Sequence, residues 1–287
     1  MASPAYDAKY RKHDDAPGRV IPAPLLSPDL DSTSLGSDGC EGSLAVGDEQ
    51  YEPWGTPHGG VIAELAARCM AAQAIASARS ETHPWLVTSS YQFRRRWTRG
   101  EPVQWSTRPM AIGSAPGSDA RMVSVTTTLT MAGAVVTEAT GTLLVPPGHV
   151  TPTGSAEPGM ARYLADLPCP TELHLPSHHA GWSAGAIAGY FDEPPTSLFV
   201  AADEAMAAAA NTVRGDVFGD ERREDFLLAD MDVTLTGDTA SDDSRVDYQA
   251  VIRRGRSGRD GMASARLTRG PRVFAYARGR VVFLHAR

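Results

Sequence analysis

The segment Gly55-Thr56-Pro57-His58-Gly59-Gly60 runs straight into an alanine-rich helix, and this entry constrains the fold more than any other stretch. Across about Gly60 to Ala78 the apolar or small residues Val61, Ile62, Leu65, Ala66, Cys69, Met70, Ala72 and Ile75 leave few polar faces. A helix apolar on most sides is a buried one, and side chains this small let a sheet close tightly around it. A second helix of the same kind is predicted from Ser197 to Asn211, roughly half a chain later. Each helix is followed by a set of β-patterned stretches.

After the first helix these are Trp85–Trp97, Pro102–Pro109, Arg121–Met131 and Ala134–Val145; Met122-Val123-Ser124-Val125-Thr126-Thr127-Thr128 is rich in β-branched residues. After the second they are Phe226–Leu235, Ser244–Arg253, Met262–Thr268 and Arg272–Leu284. The last strand of each set reads Ala-x-Gly-x followed by three apolar residues: Ala139-Thr140-Gly141-Thr142-Leu143-Leu144-Val145 against Ala277-Arg278-Gly279-Arg280-Val281-Val282-Phe283. The two glycines are 279 − 141 = 138 residues apart, and Ile62 and Phe199 in the helices are 199 − 62 = 137 apart. Equal spacing at both ends of the unit predicts an internal duplication.

Thr56-Pro57-His58-Gly59-Gly60 resembles the helix entry of hot-dog acyl-CoA thioesterases, and the tandem layout resembles the double hot-dog, type II branch of that family. The resemblance implies an α+β fold, a tandem (double) hot-dog in which each repeat is a central helix wrapped by an antiparallel sheet. The expected boundaries are an irregular leader over 1–42, a first repeat over 43–146, a Pro/Gly-rich linker over 147–170 and a second repeat over 171–287. Pro147, Pro152, Pro158, Pro168 and Pro170 mark the linker, and Ser43–Val46 reads as a first short strand.

Thioester chemistry needs a hydrogen-bond donor for the carbonyl and a carboxylate to activate water or attack directly. Gly59 and Gly60 at a helix start offer backbone amides for the first task, with His58 beside them. The resemblance implies a carboxylate nine residues beyond the histidine, where this chain has Ala67; Glu64, nearer the helix start, is the substitute candidate. From the second repeat it implies an Asp on the helix, a Thr or Ser on the next strand and a Gln on the last. Asp203 matches the first of these, whereas Asp230 and Arg278 stand at the other two positions. The candidate catalytic set is therefore Asp203, His58, Glu64, Asp230 and Arg278, with Gly59, Gly60 and Thr88 as substrate-binding candidates. Two carboxylates and an arginine together would oppose one another in setting the carboxylate pKa values.

The activity implied is hydrolysis of an acyl-CoA or acyl-carrier-protein thioester. Two alternatives stand beside it: an enoyl-thioester hydratase, dehydratase or conjugate-addition enzyme of specialised metabolism, suggested by the altered trio, and a non-catalytic acyl-thioester binding protein, suggested by Ala67. No P-loop or dinucleotide fingerprint is present, and no cofactor is implied. Cys40, Cys69 and Cys169 form no CxxC pair, and Glu172 with His174, His178 and His179 fits no common zinc spacing, so no metal is expected.

A net charge of −7 argues against nucleic-acid and anionic-membrane partners. Arg94-Arg95-Arg96 and the looser group Arg253, Arg254, Arg256 and Arg259 are the basic stretches that could meet a phosphate-bearing arm. Lys9 and Lys12 are the only lysines, which reads as a GC-rich, actinobacterial-type coding bias. The polar N-terminus and the lack of a long apolar run predict a cytoplasmic protein; homo-oligomerisation is left open.

Overall fold

The computed structural model describes residues 31–44, 46, 56–147, 173, 183–191, 197–213, 225–235, 245–255, 257–270 and 272–284. In chain order the elements are β1 (Asp31–Gly36), β2 (Gly39–Leu44), α1 (Gly59–Ala78), β3 (Trp85–Phe93), β4 (Val103–Ser114), β5 (Arg121–Met131) and β6 (Ala134–Val145). There follow β7 (Ser183–Phe191), α2 (Leu198–Thr212), β8 (Asp225–Leu235), β9 (Val246–Arg254), β10 (Asp260–Arg269) and β11 (Arg272–Leu284). The eleven strands among the described residues join one antiparallel sheet in the order β1-β2-β4-β5-β6-β3-β8-β11-β10-β9-β7.

The strands alternate as half-buried strands must, with one face on the helices. In β5, Val123, Val125, Thr127, Leu129 and Met131 are buried while the residues between them are partly exposed. The inward side chains of β2 to β11 enclose α1 and α2 in one main core, and Trp85, Val87 and Leu144 join a smaller second cluster. By length and apolar content α1 could cross a membrane, yet fifteen of its twenty residues are buried inside the chain. It ends at Arg79, a residue in left-handed conformation (φ 51°), where the Ser80 amide returns to the Ile75 carbonyl. Helix α2 starts on Ser197, whose hydroxyl accepts from the Phe199 amide at 3.2 Å.

Two stretches differ from expectation. Residues 31–42, expected to belong to an irregular leader, form the β1–β2 hairpin together with Ser43 and Leu44 of the expected short strand. Contacts from elsewhere in the chain hold it. Buried Gln73 on α1 donates to the Gly36 and Ser37 carbonyls at 3.2 Å and accepts from the Thr107 hydroxyl at 3.0 Å. The Ser77 hydroxyl adds a bond to the Ser37 carbonyl. Strand β7 was also absent from the predicted set, and its glycines explain why. A Cβ at Gly185 would overlap the Thr212 side chain, and one at Gly189 would lie 2.6 Å from the Tyr248 hydroxyl oxygen. Both glycines are spacers that let an edge strand lie on α2 and β9. The expected linker beyond residue 147, Cys169 and the histidine cluster at 174, 178 and 179 with Glu172 lie outside the described residues.

Candidate functional site at the meeting of two helix starts

β3 and β8 pair at the centre of the sheet, with Ser90 opposite Asp232, and below this seam the N-terminal ends of α1 and α2 touch. A Cβ at Gly60 would lie 2.6 Å from the Phe199 carbonyl oxygen and from the Val200 Cα. Glycine is therefore required at position 60 by backbone-to-backbone contact, not by its dihedral angles.

This approach brings Asp203, the sixth residue of α2, to the start of α1. Its Oδ2 accepts from the Gly60 amide at 2.7 Å and lies 2.9 Å from His58 Nδ1. Both side chains are buried, each residue 7% exposed. His58 Nδ1 is also 3.3 Å from the Gly60 amide nitrogen. The shorter contacts decide the protonation pattern: a bare lone pair on Nδ1 facing a carboxylate oxygen at 2.9 Å would repel it. The proton therefore lies on Nδ1, and His58 and Gly60 both donate to Asp203 Oδ2. The positive end of the α1 dipole adds to this stabilisation of the carboxylate. Among the described residues, Asp203 Oδ1 makes no hydrogen bond, and neither does the Gly59 amide, the first orphan donor of α1.

The wall of this small site is apolar. Leu228 Cδ2 is 3.3 Å from the position a Gly59 Cβ would take, and Asp203 Oδ2 is 2.7 Å from the same point. A β-bulge aims Leu228 here: Arg280 pairs with Asp230 but Val281 pairs with Leu228, so Ala229 is the extra residue. Alternation restarts beyond it, with Met231, Val233 and Leu235 buried.

The remaining candidates lie apart from Asp203. Asp230 and Arg278 point to the outer face of the sheet, where Asp230 meets Arg280 at 3.3 Å and Arg278 meets Asp232 at 2.9 Å. These are exposed cross-strand pairs on adjacent strands; the Asp232 carboxylate holds the Arg278 pKa above its ordinary value. Thr88 sits on β3 just past another bulge, opposite Thr142 and Thr234, with Ser89 and Tyr91 taking the inward positions. Glu64 is the sixth residue of α1, as Asp203 is of α2, but it forms an i,i+4 pair with Arg68 at 2.5 Å. Ala67 is fully buried. Among the basic stretches, Arg94 pairs with Glu138, and Arg254 is a buried strut. It donates to the Gly258 and Val213 carbonyls and stacks 3.9 Å over Phe283. Among the described residues no group of His, Cys, Asp and Glu could hold a metal.

The inner face of β3 carries two hydroxyls that sequence reasoning passed over. Tyr91 and Ser89 are buried, neither hydroxyl has a partner in good hydrogen-bond geometry among the described residues beyond a weak contact between the two, and the Tyr91 ring meets Phe199 edge-on at 5.8 Å. Burial pushes the Tyr91 pKa upward. Removing a buried hydroxyl that is at best weakly paired leaves the packing and deletes a desolvation cost. Tyr91→Phe is thus expected to leave denaturant stability unchanged or raise it by up to about 1 kcal/mol. A loss of about 1 kcal/mol or more would show that the hydroxyl has a partner, such as an internal water.

No protein-family model matches the sequence, and no curated protein matches it. Solved structures do. The tesB protein of Mycobacterium avium subs paratuberculosis aligns over 90% of this chain and 97% of its own, with a TM-score of 0.54 and 14% identity. Acyl-CoA thioesterase II TesB2 from Mycobacterium marinum covers 90% and 96%, with a TM-score of 0.52 and 12% identity. A conserved protein with a hot dog fold from Alicyclobacillus acidocaldarius covers 91% and 97%, with a TM-score of 0.52 and 14% identity. The chain has the hot-dog fold of these solved structures. At these identities the likeness is one of fold.

Proposed function

We propose that the chain is a thioesterase acting on an acyl-CoA or acyl-carrier-protein thioester at the junction of α1 and α2. The observation that carries this reading is the Asp203 carboxylate held by the His58 ring and the Gly60 amide, with Oδ1 and the Gly59 amide beside it making no hydrogen bond among the described residues. In this account the Gly59 N–H takes the thioester carbonyl oxygen, where the helix start favours developing negative charge. Asp203 Oδ1 removes a proton from water as the water oxygen bonds to the carbonyl carbon. Collapse of the tetrahedral intermediate breaks the C–S bond, and the proton on Asp203 passes to the departing thiolate, giving a free acid and a thiol. His58 and Gly60 keep the carboxylate in place through Oδ2.

We further read the chain as a tandem pair of hot-dog repeats. Apart from β1, the strand order is the same from either edge. Bulges at Val87 in β3 and Ala229 in β8 occupy matching places, and the helix caps His58 and Ser197 stand 197 − 58 = 139 residues apart. The first repeat then starts with the β1–β2 hairpin. In this reading Glu64 is the counterpart of Asp203, diverted into a pair with Arg68. The addition or hydration alternative drew on Asp230 and Arg278 meeting Asp203, and their outer-face pairs give it no support.

The test is mass-spectrometric turnover of a panel of saturated and α,β-unsaturated acyl-CoA and acyl-carrier-protein thioesters. Free acid from saturated members is the expected result. Modified enoyl thioesters without chain release, or binding without turnover, would overturn the reading.

A further inference from the structure

Leu228 fills a slot between two glycines beside the reactive groups. Its Cδ2 is 3.3 Å from where a Gly59 Cβ would stand, and its Cδ1 is 2.8 Å from where a Gly279 Cβ would stand. A side chain at either position would displace it. The side chain is partly exposed and packs against the edge of the main core. It faces inward because the Ala229 bulge breaks the alternation of β8; bulges re-aim side chains in this way at functional sites.

We infer that Leu228 is the specificity-determining residue for the acyl group, the side chain against which the carbon next to the thioester carbonyl packs. The inference rests on the thioesterase reading above. A carbonyl whose oxygen is held by the Gly59 amide stands beside that slot, and in this proposal one of its two substituents enters it. One substituent is the sulfur of a polar carrier arm that must lead out to solvent. The other is the apolar acyl carbon, and the Leu228 methyl groups on the core side match it. A leucine here leaves room for a straight chain and crowds a methyl branch on the α-carbon.

The experiment compares butanoyl-CoA with its α-branched isomer, 2-methylpropanoyl-CoA, using wild type, Leu228→Ala and the volume-conserving Leu228→Met. The readout is the ratio of the two kcat/KM values within each variant, which does not depend on the fraction of folded enzyme. One or two methyl groups in an apolar pocket shift such a ratio by roughly 10-fold or more. Leu228→Ala is therefore expected to raise the branched-to-straight ratio by about 10-fold, with Leu228→Met close to wild type. An unchanged ratio in Leu228→Ala, with wild type active on butanoyl-CoA, would overturn the assignment while leaving the thioesterase reading intact. Wild type inactive on every acyl thioester would remove both.

Discussion

Asp203→Asn is expected to lower kcat/KM for a saturated acyl thioester by about 10²–10⁴-fold while leaving the fold in place. The substitution is close to isosteric, and the two hydrogen bonds that fix the side chain both end on one oxygen, Oδ2. An asparagine with its carbonyl oxygen at that point still accepts from the Gly60 amide and from His58 Nδ1. Its amide group then occupies the place of Oδ1 and cannot take a proton from water. The predicted signature is a large loss of rate with a thermal midpoint close to wild type. Loss of rate with an equal collapse of stability would indicate a structural role for the carboxylate. Activity above one-tenth of wild type would assign the base elsewhere, with Glu64 the next residue to substitute.

The second large effect is on stability. In most exposed helices a glycine-to-alanine change is favourable by about 1 kcal/mol. At Gly60 the added methyl group meets three backbone atoms of α2, the Phe199 carbonyl oxygen and carbon and the Val200 Cα, all within 2.7 Å. Backbone cannot rotate aside as a side chain can, so the two helix starts must separate. Overpacking of this kind costs about 1–3 kcal/mol after the propensity gain is overcome. Gly60→Ala is expected to lower the denaturation midpoint accordingly and to reduce activity too, because separation draws the Gly60 amide away from Asp203. Gly113→Ala is the control: nothing lies within 4 Å of a Cβ there. A Gly60→Ala protein as stable as the control would contradict the close crossing of α1 and α2.

The helices were legible because their composition has one physical use: small apolar residues on every face suit a helix enclosed by sheet. The same economy exposed Asp203, since a carboxylate among alanines requires a partner. Its partner lies 143 residues away at Gly60, a distance that no local pattern encodes. Strand β7 was hidden because Gly185 and Gly189 sit where its pattern would show apolar side chains. The β1–β2 hairpin was hidden because Gln73, Ser77 and Thr107, all distant in sequence, supply its support. Leu228 was missed for a third reason. Strict alternation counted back from Met231 and Val233 turns residue 228 outward, and one bulge reverses the facing. The proximity of Asp230, Asp232, Arg278 and Arg280 is real, but it reflects cross-strand pairing on the outer face.

A single turnover of butanoyl-CoA by excess enzyme in oxygen-18 water tests direct activation of water by Asp203, with the acid analysed by mass spectrometry. The account predicts free butanoic acid carrying one heavy oxygen in the first turnover and one equivalent of free coenzyme A thiol. Unlabelled acid in that first turnover would mean that Asp203 itself attacked the carbonyl and that water then cleaved the resulting anhydride at the aspartyl carbon. No acid at all would contradict the assignment of hydrolysis to this site.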